Sequence, residues 1–212
     1  FTDGNLQTFD SSPGLLASEV KHDFPEVAET ARVILDFQSL LGSNNEGFFE
    51  TGGYADPEFF KIFTFKFLTS VSQEKILSDD KSIVISSRLA SKLFGTNDAT
   101  GKTVLFNRKE EYTVSAVFED VPENSFFKFD YLLPFNAFLK LQPQAAQWGY
   151  NVAKTFMLLH DQNELESLSN KIRLIAKKHD ESSHTEFFLY PLSKIYLFGK
   201  FRNGKNVGGR ID

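Results

Sequence analysis

The sequence predicts a mixed α+β domain built around one sizeable core, and three observations lead there. First, a 212-residue chain fits one large domain or two small ones, and a fold of that size buries roughly 70% of the surface its unfolded chain exposes. Second, 41% hydrophobic and 24% charged residues is ordinary globular composition and argues against disorder. Third, both structural periods occur. Tyr112, Val114, Ala116 and Phe118 alternate as on one face of a half-buried strand, while Leu165, Leu168, Ile172 and Ile175 recur at spacings of three and four, as on a helix.

The elements follow in chain order. Ser12-Pro13 reads as a helix start, Ser12 accepting from free backbone N–H groups and Pro13 filling the first helical position. Leu15, Leu16 and Val20 continue that helix until Pro25 ends it. Residues 27–37 read as a strand burying Val33, Ile34 and Leu35, and the polar stretch 42–47 as a loop. Asp56-Pro57 repeats the cap-plus-proline signal before a short helix carrying Phe59, Phe60, Ile62 and Phe63. Ile83, Val84 and Ile85 read as a strand that enters a helix at Ser86 or Ser87; Leu89, Ala90, Leu93 and Phe94 form its apolar face and Gly95 its stop. Residues 103–106 and 112–118 read as a hairpin around 107–111, and 126–135 as a strand broken by Pro134. The last third reads strand at 152–160, helix at 163–178 and strand at 186–190, ending in a poorly ordered Gly-rich, basic tail at 199–212.

Composition narrows the function classes. Phe accounts for 24 residues against one Met and one Trp, and most of those rings are expected in the core. With 23 basic and 28 acidic residues the net charge is −5, which offers no basic bias for nucleic acid, and no run of like charge suggests a polybasic anchor. Absence of Cys excludes disulfides and thiolate metal sites. No stretch approaches the roughly 20 apolar residues that cross a bilayer, and a chain opening at Phe1 without Met reads as a fragment.

Candidate chemical motifs are weak. GTNDATGKT at 95–103 has five residues between its first Gly and the Gly-Lys pair, where a phosphate loop needs four, and it follows a helix instead of opening one. It reads as a turn. His179 and His184 lie near Asp180 and Glu181, but the spacing does not place both rings on one helix face, so they read as surface residues of a polar loop. Two SxxK strings, from Ser72 and from Ser78, lack the partner motifs of penicillin-binding enzymes. Adjacent carboxylates at 79–80, 110–111 and 180–181 sit in polar segments, where nothing shifts a carboxylate toward acid–base work.

Residues 82–135 carry a more specific signal. An apolar strand enters a helix ending Ala90-x-x-Leu93-Phe94-Gly95. A Gly101-Lys102-Thr103 turn follows, then a strand at Tyr112 to Val114 that runs into Asp120-Val121-Pro122-Glu123-Asn124-Ser125. In that order and spacing the block resembles the MacB-like periplasmic core domain of ABC-transporter permeases of the MacB/FtsX-like kind. FPEV at 24–27, with Pro25 and Glu26, and ADPEFFKIFTF at 55–65, with Asp56 and Pro57, resemble the segments before it; Trp148, the strand around Met157 and YPLSKIYL at 190–197 resemble those after it. Two departures stand out: Ala99 replaces a usual Pro, and nothing before Phe1 supplies the family's first strand.

The resemblance implies a porter-like α/β unit, with βαβ elements on a mixed sheet, at 1–75 and 136–212, interrupted by a smaller α+β lobe at 76–135. It implies a domain on the periplasmic side of the inner membrane of a Gram-negative bacterium, part of a transport or efflux protein. That domain has no catalytic, metal or cofactor residues and couples ATPase-driven motion to events outside the membrane. The implied partners are the protein's own membrane helices, a second permease subunit, a cytoplasmic ATPase and an extracytoplasmic protein, peptide or lipoprotein, but no nucleic acid. The motif positions would be structural, Gly95 and Gly101 serving turns, Pro122 directing the strand exit and Asn124 or Ser125 bonding backbone. An extracytoplasmic ligand-binding or sensor domain is the alternative.

Overall fold

A computed structural model describes residues 6–43, 46–202 and 204–210. Its centre is a mixed eight-stranded sheet of β1 (Ser12–Pro13), β2 (Val27–Ser43), β3 (Glu46–Ala55), β4 (Ser82–Ser86), β5 (Thr103–Phe106), β6 (Glu110–Phe118), β7 (Tyr131–Pro134) and β8 (Asn151–Leu159). The order is β1-β8-β2-β3-β7-β4-β6-β5, with β3–β7 and β4–β6 parallel and the other pairs antiparallel. β5 also pairs with β2, Leu41 opposite Phe106 and Gly42 opposite Leu105. Hydrogen bonding therefore runs in a closed circuit through β2, β3, β7, β4, β6 and β5.

Both faces of this sheet are covered, which explains why β4 and β7 are continuous apolar runs. On one face Ile83, Ile85, Tyr131 and Leu133 pack with Leu89, Ala90 and Leu93 of α3 (Ser87–Phe94) and Phe138 of α4 (Phe135–Leu141). On the other Val84, Leu132 and Phe118 pack with Phe59 and Phe60 of α2 (Phe59–Ile62). A third cluster joins Leu16 and Val20 of α1 (Leu16–Asp23) to Leu168 and Ile172 of α5 (Leu165–Ile172). Eight Phe rings are buried and eight more pack against these clusters, so the core expectation holds for most of them.

The mixed α+β class is as predicted, and so is the central block. Ser86 caps α3 by accepting from Leu89 N at 3.1 Å, Gly95 closes it at φ 68°, and GTNDATGKT is a turn into β5. Several elements differ. Ser12 caps no helix; with Pro13 it pairs with β8, and its hydroxyl donates to the Ala153 carbonyl at 3.1 Å. Asp56 does not cap α2, because its carboxylate is taken by Arg32. Val33 is buried, but Ile34 and Leu35 are only half-buried. The strand region 27–37 extends to Ser43, which shortens the loop expected at 42–47; residues 44 and 45 lie outside the described residues.

The period-2 reading of β6 fails halfway. Tyr112 and Val114 pack in the first cluster, Ala116 and Phe118 in the second, because the register shifts opposite Ile83 and Val84. The extra residue flips the face, as a β-bulge does. Only Tyr131–Pro134 of 126–135 is strand, and α4 follows at once. The helix at 163–178 is divided into α5 and a 3-10 turn at Ile175–Lys178, since the Arg173 carbonyl accepts from Phe187 N at 3.0 Å. The same bond explains why 186–190 is no strand: its backbone bonds to Arg173 and to the Ser169 hydroxyl, not to a neighbouring strand. α6 (Leu192–Phe198) leads into the tail, which forms a small hairpin, β9 (Phe201–Arg202) with β10 (Lys205–Asn206); its residues 203, 211 and 212 are not described.

Candidate functional site

The motif residues occupy the joints between elements. Pro25 and Glu26 make the corner between α1 and β2, where the Glu26 carbonyl accepts from His160 N at 3.0 Å. Lys171 of α5 bonds the Glu26 carboxylate and holds it below the usual carboxylate range. Asp56 receives Arg32 Nε and Nη2, each at 2.8 Å, and the Arg32 guanidinium lies 4.1 Å over the Phe135 ring. This bidentate pair ties β2 to the residue that leaves β3, and Pro57 then leads into α2.

A second set surrounds α3. Phe94 ends the helix beneath the Lys102 ammonium at 5.1 Å, and Gly95 and Gly101 hold the left-handed conformations (φ 68° and 82°) that the turn to β5 requires. Ala99, where the resemblance expects Pro, is buried, and its carbonyl accepts from Lys102 N. At the other end of α3, Asp120 Oδ1 accepts from the Ser87 hydroxyl and Arg88 N, both at 2.8 Å. The next turn is closed by Ser125 N donating to the Pro122 carbonyl, Lys128 bonds the Pro122 and Glu123 carbonyls, and the Ser125 hydroxyl accepts from Phe127 N. Asn124 is exposed in that turn. Ser125 thus makes the backbone bond.

Between these joints lies a charged seam that the sequence did not reveal. Glu50 of β3, with only 4% of its side chain exposed, accepts from Arg88 at 2.8 Å and from Lys92 at 2.5 Å. Arg88 also pairs with Asp130 at 2.5 Å, and that bond is the main reason its guanidinium holds its proton more tightly than usual. The Ser86 hydroxyl donates to Asp130 at 3.0 Å, and the Asp130 backbone bonds Thr51 of β3 and Ser86 of β4. The one signal available was the spacing of four between Arg88 and Lys92, which places both on one side of α3. Their acidic partners lie about forty residues away in either direction, beyond any local pattern.

This seam ties α3 to β3 and to the residue before β7. Each carboxylate is matched by a cation: Glu50 by Arg88 and Lys92, and Asp130 by Arg88. Among the described residues no three His, Asp or Glu side chains gather as metal ligands. An open cleft of about 410 Å³ lies beside α2, lined by Phe60, Phe65, Phe67 and Ile76 together with Lys61 and Gln73. His179 is more than a loop residue: it stacks on Trp148 with centroids 4.0 Å apart and bonds Glu19 at 2.6 Å, while its neighbour Lys178 bonds Glu19 and Asp23.

Comparisons with known proteins agree with this architecture. Residues 3–175 match the MacB-like periplasmic core domain. Among solved structures, a domain assigned to a permease protein of Porphyromonas gingivalis is similar with a TM-score of 0.71 at 23% identity, covering 88% of this chain and 90% of its own. The extracellular domain of the ABC-type transporter YknZ of Gram-positive bacteria gives 0.63 at 14%, covering 86% and 91%. The periplasmic region of MacB from Actinobacillus actinomycetemcomitans gives 0.59 at 15%, covering 77% and 74%. At these identities the likeness is one of fold. No curated protein sequence matches the chain.

Proposed function

The chain belongs to the MacB-like periplasmic core domain family, found in ABC-transporter permeases, and from that membership we propose that it is a non-catalytic coupling module. In this reading it stands outside the inner membrane of a Gram-negative cell between two membrane helices of its own protein and pairs with a second permease subunit. ATP turnover in a cytoplasmic ATPase moves it, and that motion handles a partner protein, peptide or lipoprotein. The observation that carries the reading is the family match itself, which spans the 82–135 block together with segments on both sides.

The joints described above support it. Load passing between lobes needs connections that do not yield, and the Glu50 seam joins β3 of the porter-like unit to Arg88 and Lys92 of the inserted lobe. The division we propose, a lobe at 76–135 set into a porter-like unit at 1–75 and 136–212, is supported by β4–β7 and α3 lying consecutively within it. Their strand links to the rest run through β3–β7, β2–β5 and a bridge from Phe67 to Phe118, and the lobe's ion pairs to the rest include those of Glu50 and of Lys140 with Asp80. The motif residues Pro25, Glu26, Asp56, Pro57, Phe94, Gly95, Gly101, Lys102, Asp120, Pro122, Glu123, Asn124 and Ser125 are proposed as structural.

The test uses the absence of Cys from these residues. A single Cys at Phe49, 74% exposed on β3, takes a spin label without disturbing the core. In the reconstituted full-length permease with its ATPase, the distance between the two labels should change by several Å between nucleotide-free and vanadate-trapped states. An unchanged distribution during active turnover would sink the coupling role.

A further inference from the structure

We propose that the C-terminal module, residues 187–210, docks on an anionic bilayer surface. The charge distribution is the first ground. Within 187–210 lie Lys194, Lys200, Arg202, Lys205 and Arg210 and no acidic residue, so a chain of net −5 carries +5 here and −10 elsewhere. In sequence these cations form no polybasic run; the fold places Lys194 on α6, Arg202 and Lys205 on the β9–β10 hairpin, and Lys200 and Arg210 on the segments flanking it. The Lys200 carbonyl accepts from Val207 N, and Arg210 N donates to the Leu197 carbonyl. All five are exposed, and among the described residues none is paired with a carboxylate.

The second ground is the apolar surface interleaved with them. Phe188, Leu192, Tyr196, Phe198 and Val207 are each between 37% and 56% exposed, and no residue of α6 is buried. The module is nonetheless built. Phe201 packs on Phe188 and Tyr190 with centroids 5.2 and 5.0 Å apart, Arg210 lies 4.2 Å over the Tyr196 ring, and Arg210 N bonds the Leu197 carbonyl at 2.9 Å. Aromatic and aliphatic groups alternating with Lys and Arg suit a headgroup layer, which takes the rings at its acyl boundary and the cations at its phosphates. The rest of the chain, at −10, is repelled by the same surface, so the charge asymmetry also orients the domain with this module downward. These grounds are independent of the permease reading.

Vesicle sedimentation tests the proposal with the whole 212-residue chain. Binding is expected to vesicles containing about one-third phosphatidylglycerol but not to pure phosphatidylcholine, and it should fall steeply as salt rises from roughly 50 to 500 mM. Each cation near such a surface is worth roughly fivefold in partition, so losing three costs on the order of 100-fold, and K200E/R202E/K205E, which also adds three anions, should lose more than that. Y196S/F198S, at unchanged charge, should lose about tenfold, and K66E/K109E, outside the module, should bind as before. Each variant is first shown folded by circular dichroism. Equal binding to neutral vesicles, no binding to anionic ones, or indifference to charge reversal would overturn the proposal. So would binding to polyglutamate in place of vesicles, which would mark an acidic protein as the occupant. Any of these leaves the spin-label distances of the coupling test unaffected.

Discussion

At the residue scale, Glu50 shows how unequal two ends of one ion pair can be. Its carboxylate is out of water while Arg88 and Lys92 stay half-exposed, so the cost of breaking the seam depends on which side is removed. Glu50→Gln keeps the shape and leaves cations that water can solvate, a loss of about 1 kcal/mol. Arg88→Met with Lys92→Met strands a buried carboxylate and should cost roughly 3–5 kcal/mol. Lys92→Met alone should cost little, since Arg88 still pairs. Urea unfolding of the three variants checks the order, and equal losses would mean the carboxylate is solvated. None of this was legible in the sequence, where Glu50 sits in a strand between Phe49 and Thr51 with no local partner. The start of α3, by contrast, was narrowed to Ser86 or Ser87 from sequence, because a cap bond spans three residues, and the bond falls to Ser86.

At the scale of elements, legibility followed the range of the bonds involved. The strand–helix–turn–hairpin block at 82–118 is fixed by local caps, glycines and periodicity, and its elements form as read apart from the bulge in β6. The segment 186–190 has a strand's composition, yet its amides find α5 first, and tertiary bonding overrides propensity. The bulge in β6 is equally silent in sequence, because Ser115 is as compatible with regular strand as with the extra residue. Contact between β2 and β3 is tightest at Gly53, where an added Cβ would stand 1.9 Å from the Ile34 carbonyl oxygen. That atom is backbone, so the strands must separate to admit it. Gly53→Ala should therefore destabilise by about 3 kcal/mol or more, lowering Tm by roughly 6–12 °C for a domain of this size. A Tm within two degrees of the parent, measured by calorimetry, would show that the strands part freely.

At the scale of the whole molecule, titration limits stability on both sides. Burial is the main cause that raises the Tyr54, Tyr112 and Tyr131 hydroxyls above their ordinary range, Tyr131 to about 12. The folded state holds these protons more tightly than the unfolded chain does, so stability is unaffected below pH 10 and declines as pH rises from 10 toward 12. Glu26 and Glu110 are shifted the opposite way, chiefly by hydrogen bonds from Lys171 and Lys81. Their contribution is complete above the ordinary 4.5 and is lost as pH falls through their lower folded values. Tyrosinate absorbance followed with circular dichroism should show three rings ionising only as the fold is lost. Early ionisation of all six tyrosines in the folded protein would contradict their burial. The α+β class and the family were legible at this scale; closure of β5 onto β2 was not, because it joins residues far apart in the chain.

That closed circuit also sets a schedule for synthesis. The β2–β3 hairpin is complete once Ala55 is made, but its partner β7 begins only at Tyr131. At about 5–20 residues per second the hairpin waits roughly 4–15 s with an unpaired edge. Its other neighbour, β8, arrives later still. Synonymous codons that slow the ribosome between Ala55 and Tyr131 lengthen this exposure without altering a single side chain.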